Sequence, residues 1–506
     1  MKKIISHIAL TFTLLVTFSC DNGFDELNSS KTAATSLNPA LILNNAIIGS
    51  SPNAGQLNYE LAIVQQLISP NTGVLEGANF NKNNSSSSIA NWRDYYRNVI
   101  RYTNDVIVQT ADDPARSNLM NKARIIQAHA FMVISDTYGS IPYDDAGKGY
   151  TGQNFFPDYE SQEVVYHDII AELTSASAAL DESLPSENDV LYNGNIAKWK
   201  KFGYSLLLRA GMRLSKVEPG LAQSTVATAF AGGVILANDD NAVIRHDANY
   251  VNNVGNVLNG TEAANFYLAA PFVDALKAND DPRLAAIAVR YVGANSGPAQ
   301  VAAVATFDPN AQYGLPMGST DGDADNYGAA LPGGGTRYAF TQLDRNRMAK
   351  RTSPLFLVTA SQTNLLLAEA RFRNWIGAGT VDGYFAEGIR RHMDQMALFD
   401  PASAVNAADR DQYVASRMAV LAGNELEQIN YEYWIASFLN GQEAWANFRR
   451  SGYPVLVANP FPGRDVDWIT RLTYPPTEIL VNGANVQAAI AEQGPDELDT
   501  KVWWDQ

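Results

Sequence analysis

The sequence predicts a mostly α protein, a stacked array of helix pairs interrupted by one long loop-rich insertion. Three observations carry that prediction. Apolar residues recur at spacings of three and four in several long stretches, short polar loops join those stretches, and between 237 and 352 the helical period gives way to Gly, Asn, Asp and Pro. With 506 residues, 46% of them apolar and 10% aromatic, the chain has material for one large or two medium cores.

The N-terminus is read first. Met1, Lys2 and Lys3 precede an almost wholly apolar run from Ile4 to Phe18, then Ser19 and Cys20, the layout of a secretory signal. That run is shorter than the ~20 apolar residues of a transmembrane helix. Cys20 is the sole cysteine, so no intrachain disulfide and no thiolate metal site can form. Its position at the end of the leader points to a lipid anchor, in which several acyl chains on one residue hold where a single chain holds only marginally. The alternative is an ordinary leader with a chance cysteine, and Thr17, where such boxes prefer Leu or Val, speaks for it. The net charge of −16 becomes −18 once the leader removes Lys2 and Lys3. Such a surface argues against nucleic-acid partners, and more weakly against strongly anionic polysaccharides.

Past the polar "NSSKTAATSLNP", the segment "NKARIIQAHAFMVISDTYGSIPY" places Ala123, Ile126, Ala130, Val133 and Thr137 on one helical stripe, stopped by Gly139 and Pro142. A second helix fits "QEVVYHDIIAELTSASAAL", with Val165, Ile169, Leu173, Ala176 and Leu180 inward. A third follows Asn195 as N-cap and buries Trp199, Phe202, Leu206 and Ala210. After the insertion, helical pattern resumes in "SQTNLLLAEARFRNW" and "NYEYWIASFLNGQEAWANFRR". The strict tetratricopeptide pattern of Trp, Leu-Gly and Tyr at fixed offsets is absent.

Taken in order, "KARIIQAHAFMVISDTYGSIPY", "VVYHDIIAELTSA", "NGNIAKWKKFGYSLLLRAGMRLSKV", "NDDPRL", "LLLAEA", "YEYWIASFLNGQEAWANFRRSGYPVL", "RLTYPPTEILVN" and "TKVWWD" resemble the SusD/RagB family of outer-membrane nutrient-binding lipoproteins over nearly the whole mature chain. Asp21, Asp25 and Glu26 also resemble the short acidic export signal of surface lipoproteins. The resemblance implies degenerate tetratricopeptide-like helix pairs, a variable region facing the ligand, a lipid anchor at Cys20 and a TonB-dependent transporter barrel as partner. It departs from the family at "TASQTNLLLAEA", where members often carry Tyr-Ala-Glu. The expected organisation is a leader at 1–19, a lipidated tether at 20–39 and one SusD-like domain at 40–506. Its repeats fall in 40–235 and 353–450, and the insertion spans 237–352.

Motifs for catalysis are thin, and neither a cofactor nor a metal is expected. His129, His167, His246 and His392 offer no HExxH spacing, and His129 and His167 fall inside predicted helices, where core or interhelix hydrogen bonding is the natural role. No G-x-S-x-G elbow occurs, and "AGKGY" lacks the rest of a phosphate loop. In "DGDADNYG", Asp321, Asp323 and Asp325 imitate a calcium loop, but Asn326 stands where Gly is needed and Pro332 where a bidentate Glu is needed, so a solvated turn is expected.

A site for neutral sugars combines aromatic faces with planar amide, carboxylate or guanidinium groups on fixed loops. The insertion supplies Tyr250, Phe266, Tyr267, Tyr313 and Tyr327 beside Asn249, Asn252, Asn265, Asp323 and Asn326, and Trp92 follows a polar loop. The competing role for each aromatic is a core anchor. It is strongest for Phe266, near the helix-like "PFVDALKAND", and for Trp92, which opens an aromatic-rich helix. Trp434, Trp445, Trp503 and Trp504 match framework motifs of the family and are read as core. The expected function is non-catalytic capture of oligosaccharides at the cell surface. The alternatives are peptide capture within the family, a helical-scaffold glycoside hydrolase using two carboxylates, and a purely structural scaffold.

Overall fold

A computed structural model describes residues 37–506; the leader, Cys20 and most of the expected tether lie outside the described residues. Helices α1 (Pro39–Gly49), α2 (Arg101–Thr110), α3 (Ser117–Tyr138), α4 (Gln162–Ala179), α5 (Ile196–Arg213) and α6 (Pro219–Gly232) are stacked, each packed on the next. The predicted stripes are the packing surfaces: Ala123, Ile126, Ala130, Val165, Ile169, Leu173, Trp199, Phe202 and Leu206 are all buried. Each Val, Leu, Ile or Phe among them removed from water stabilises the fold by roughly 1.5–3 kcal/mol. Asn195 caps α5 as expected, its Oδ1 accepting from Lys198 N at 3.0 Å. Gly139, at φ 84°, ends α3 in a conformation that a Cβ would strain.

The insertion follows, with α7 (Ala270–Ala278), α8 (Asp321–Ala329) and a set of short strands. These are β2 (Ala242–Ile244), β3 (Tyr267–Leu268), β4 (Ala288–Tyr291), β5 (Ala305–Thr306) and β6 (Gln342–Leu343), with β1 (Leu67–Ile68) contributed from before the insertion and β7 (Leu355–Val358) from just after it. β2 pairs antiparallel with β7, Ile244 opposite Leu355, so the two ends of the insertion meet at one place on the scaffold. β1 pairs with β3, Leu67 opposite Leu268, and β5-β4-β6 make a three-stranded sheet. That sheet has its own small apolar cluster of Val289, Tyr291 and Ala294, with Tyr338 packed against it.

Helical packing then resumes. α9 (Ala360–Phe372) packs on α10 (Val381–Phe399), α11 (Ala407–Ala419) on α10, and α12 (Glu425–Ala436) on α9. The apolar pattern of 430–450 is split after Ala436: Leu439 takes φ 68° and Asn440 caps a new helix, α13 (Gly441–Ser451). A final helix, α14 (Gly483–Gln493), precedes a tail whose Trp504 is buried and donates from Nε1 to Asp136 Oδ1 at 2.9 Å. Trp434 and Trp445 are buried as well, whereas Trp503 is only partly so. Among the described residues no helix is long and apolar enough to cross a membrane.

Candidate ligand-binding face

The loops that bear the candidate residues are tied together by backbone and amide hydrogen bonds. Leu268 N donates to Thr341 O at 2.9 Å and Ala270 N to Leu315 O at 2.8 Å, which holds the 313–315 and 341–343 segments beside β3. Asn79 is the hub on the neighbouring side. Its Nδ2 donates to Ser69 O (2.8 Å) and Ser319 O (3.2 Å), and its Oδ1 accepts from Gly318 N (2.9 Å). Asn459 Nδ2 donates to Asn79 O, which draws in the loop around Phe461. Gly318, at φ 74°, is required here, since a Cβ would stand 2.5 Å from Asn459 Oδ1.

On this platform stands α8. Thr320 and Asp323 form a capping box, the Thr320 hydroxyl accepting from Asp323 N while Asp323 Oδ2 accepts from Thr320 N at 3.1 Å. The "DGDADNYG" segment is therefore the first turns of a helix, which corrects the expected solvated turn. The pattern was missed because the capping threonine lies just before the acids. Arg337 bridges Asp325 Oδ2 at 2.8 Å and Asp321 Oδ1 at 3.3 Å, and its guanidinium lies 5.1 Å from the Tyr338 ring centre. Burial pulls the Arg337 pKa down, but Asp321 and then Asp325 more than offset it, so the group is held charged. Gly328 lets α8 meet the Thr336 backbone, 2.3 Å from where a Cβ would be. Beside it Tyr327 is 48% exposed. Helix α8 thus carries a fixed cation with its carboxylates on one side and an open tyrosine ring on another, while in the 262–267 loop Asn265 Nδ2 donates to Glu262 Oε2 at 2.7 Å.

The predicted aromatics divide. Tyr250 is 51% exposed on a tight turn in which Asp247 Oδ1 accepts from the backbone N–H of Asn249 and Tyr250. That turn is tied to the far end of the insertion by Asn252 N to Arg351 O at 2.8 Å, and no described contact joins it to α8. Tyr313 is partly buried, with Lys277 Nζ at 4.7 Å and the Arg290 guanidinium at 4.9 Å from its ring centre. Phe266, Tyr267 and Trp92 are corrected to core positions, since none keeps an open face. Tyr267 is fully buried in β3, donating to Ala264 O at 2.6 Å, and burial pushes its hydroxyl pKa up. Trp92 is enclosed by Tyr96, Tyr138, Tyr159 and Tyr474, all with ring centres within 6.0 Å. Aromatic bulk between apolar neighbours packs inward unless a turn holds it out. Asn252, too, is buried, capping the short helix Asn253–Leu258 and donating to Ser353 O.

Sequence reasoning missed Arg337 and Tyr338, which acquire their roles only through carboxylates twelve and more residues away. It also missed a cleft of about 590 Å³ between the 276–282 turn, Pro309–Asn310 and α11, lined by Lys277, Asn279, Asp280, Asn310, Asp409 and Gln412. Lys277 connects the cleft with Tyr313, its ammonium donating to Gln312 O at 3.0 Å. The carboxylates of the α8 face are ill suited to glycoside hydrolysis, which needs one acid of raised pKa. Asp321 and Asp325 are both paired with Arg337, and the Thr320 hydroxyl and N–H hold Asp323 below the usual carboxylate range.

The comparisons agree with this architecture. A family profile described as "Starch-binding associating with outer membrane" matches residues 29–475. A solved chitin-binding protein superposes with a TM-score of 0.80 at 29% identity, covering 93% of this chain and 100% of that one. A SusD-like protein of Bacteroidetes AC2a gives 0.81 at 26% identity, over 93% and 100% of the two chains. A chitin-binding SusD homolog from Flavobacterium johnsoniae, at 23% identity and 0.75 over 92% and 98%, is similar in fold. Among curated proteins none matches significantly. With stacked helix pairs carrying a loop-built face, and a family profile that spans most of its length, the chain belongs to the SusD-like family of proteins that associate with the outer membrane.

Proposed function

We propose that the protein is a non-catalytic receptor, anchored at the outer-membrane surface through acyl chains on Cys20, which captures a neutral oligosaccharide and hands it to a TonB-dependent transporter barrel. The observation that carries this reading is helix α8: it holds the Tyr327 ring open and, on the side of Asp321 and Asp325, a guanidinium, Arg337, fixed by those two carboxylates. A sugar ring lays its C–H surface on an aromatic face, and its hydroxyl or amide groups meet the fixed planar partners at the edge. The overall negative charge favours neutral over anionic glycans. Because a chitin-binding protein is 29% identical over nearly the whole chain, β-linked N-acetylglucosamine oligomers are the first ligands to test, with α-glucans second. Delivery requires that the ligand bind the closed receptor–barrel state more tightly than the open one, since only differential affinity shifts such an equilibrium.

Titration calorimetry of the mature chain with chito- and malto-oligosaccharides, together with chromatography of the glycan after incubation, tests the reading. The expected result is saturable binding with the oligosaccharide recovered intact. Shortened glycan would make the protein a hydrolase, and absence of binding to any neutral glycan would overturn the assignment.

A further inference from the structure

One cluster of metal-ligating side chains lies outside the ligand-binding face. Glu163 and His167 stand four residues apart on the first turns of α4 and so share one face of the helix. Glu218 comes from the turn between α5 and α6. Its backbone is fixed by Glu218 N to Leu214 O and Ala222 N to Glu218 O, both 2.9 Å, with Pro219 opening α6. His167 Nε2 lies 2.8 Å from Glu218 Oε2, and one ligand atom from each of the three residues lies within 4.8 Å of the others. The ring of Trp503 meets His167 edge-on, with centres 6.3 Å apart, which limits how far the imidazole can swing.

We propose that Glu163, His167 and Glu218 bind a divalent transition-metal ion of the zinc type. One imidazole nitrogen and two carboxylate oxygens are a borderline-soft donor set that suits Zn²⁺ better than Ca²⁺ or Mg²⁺, which take oxygen ligands throughout. Two carboxylates and a neutral imidazole also balance the double charge. The His167–Glu218 pair already directs a nitrogen and an oxygen lone pair toward one point, where an ion would replace the shared proton. Glu163, exposed on α4, would complete the set by bringing a carboxylate oxygen to the ~2.0–2.2 Å of a zinc bond. Three protein ligands leave a fourth position for water, and the ion clips α4 to the α5–α6 turn.

The test uses the untagged mature chain, freed of metal by chelation and titrated with ZnCl2 by calorimetry and by competition against a chromophoric chelator. One Zn²⁺ per chain is expected, unaffected by millimolar MgCl2. The variants His167→Gln and Glu218→Gln are expected to weaken binding at least about tenfold, ligand loss costing no less than the 10–100-fold of an outer partner. Both residues lie at the surface, so each variant should keep the wild-type thermal midpoint without metal while losing the rise that zinc gives the wild type. Zinc binding that is equal in wild type and both variants would place the ion elsewhere, and no binding at all would refute the site.

Discussion

The helical scaffold and the insertion at 237–352 reach order by different means. In the scaffold, helices approach through apolar stripes and small residues. At Gly203 on α5, a Cβ would stand 2.1 Å from Ser177 Oγ and 3.1 Å from Ser177 Cβ on α4, so a larger residue would force the serine to turn away and tighten the helix contact. In the insertion, short strands, 3-10 turns and amide side chains, some reaching in from outside it such as Asn79, satisfy backbone groups that no long helix pairs. The first arrangement is strong and regular. The second is weaker per residue but can hold out a ring such as Tyr327 at a place set by hydrogen bonds rather than by core packing.

The joint between the two regions should be the most sensitive point. Arg283, just after α7, is fully buried. It donates to Asp281 Oδ2 at 2.6 Å, to Glu432 Oε2 on α12 at 2.7 Å and to His392 Nδ1 on α10 at 3.0 Å. Replacing it with methionine leaves buried Asp281 without its cation and Glu432 with only Arg417 and Tyr413, and should cost about 3–5 kcal/mol in chemical denaturation. A loss below about 1 kcal/mol would mean that the insertion is not locked to the scaffold through this node.

Where the chain before the insertion meets the insertion's network, Asn79→Ala removes two donated bonds and one accepted bond, and should cost roughly 1–3 kcal/mol. It should also weaken glycan binding by displacing the Gly318 turn at the foot of α8, an effect that a core substitution of equal cost would not show.

The scaffold carries a pH dependence of its own. Burial first, and then the nearby Arg209 charge, lowers the His129 pKa from 6.5 to about 3. Between those values the unfolded chain takes up a proton that the folded chain refuses. Stability present above pH 6.5 is therefore lost as the pH falls toward 3, at up to about 1.4 kcal/mol per pH unit. His392 is displaced in the same direction, by burial and then by Arg283. His129 Nδ1 is buried without a hydrogen-bond partner, so His129→Leu should flatten the acid limb of a stability–pH curve with little loss at pH 8. An unchanged limb would place the acid sensitivity in another group.

The smallest expected effect on stability is also the sharpest on function. Tyr327→Ala, half exposed on α8, should change stability by less than about 0.5 kcal/mol while weakening oligosaccharide binding severalfold through loss of the aromatic face. Tyr267→Phe, in the core, should leave affinity unchanged. If the two outcomes were exchanged, the ligand face would lie elsewhere.

Much of the scaffold was legible because helix formation is local. The stripes from Ala123 to Thr137, from Val165 to Ala176 and from Trp199 to Ala210, and the cap at Asn195, repeat at the period of the helix and could be read within a dozen residues. The ligand face was legible only in composition. Tyr327 and Tyr250 are open while Tyr267 and Phe266 are closed, and nothing within a few residues of each separates them. The Glu163–His167 spacing was visible on α4, but its third partner lies 51 residues beyond His167.

Periodicity and motif order were thus enough to specify an α-rich scaffold, its framework tryptophans and its family, because apolar spacing obliges each helix to bury one side. Which tyrosines face solvent, that Arg337 gathers two carboxylates, and that both ends of the insertion close at β2 and β7 followed from the folding of distant segments onto one another. Hydrogen bonds and ion pairs between residues far apart in the chain leave no periodic trace in it.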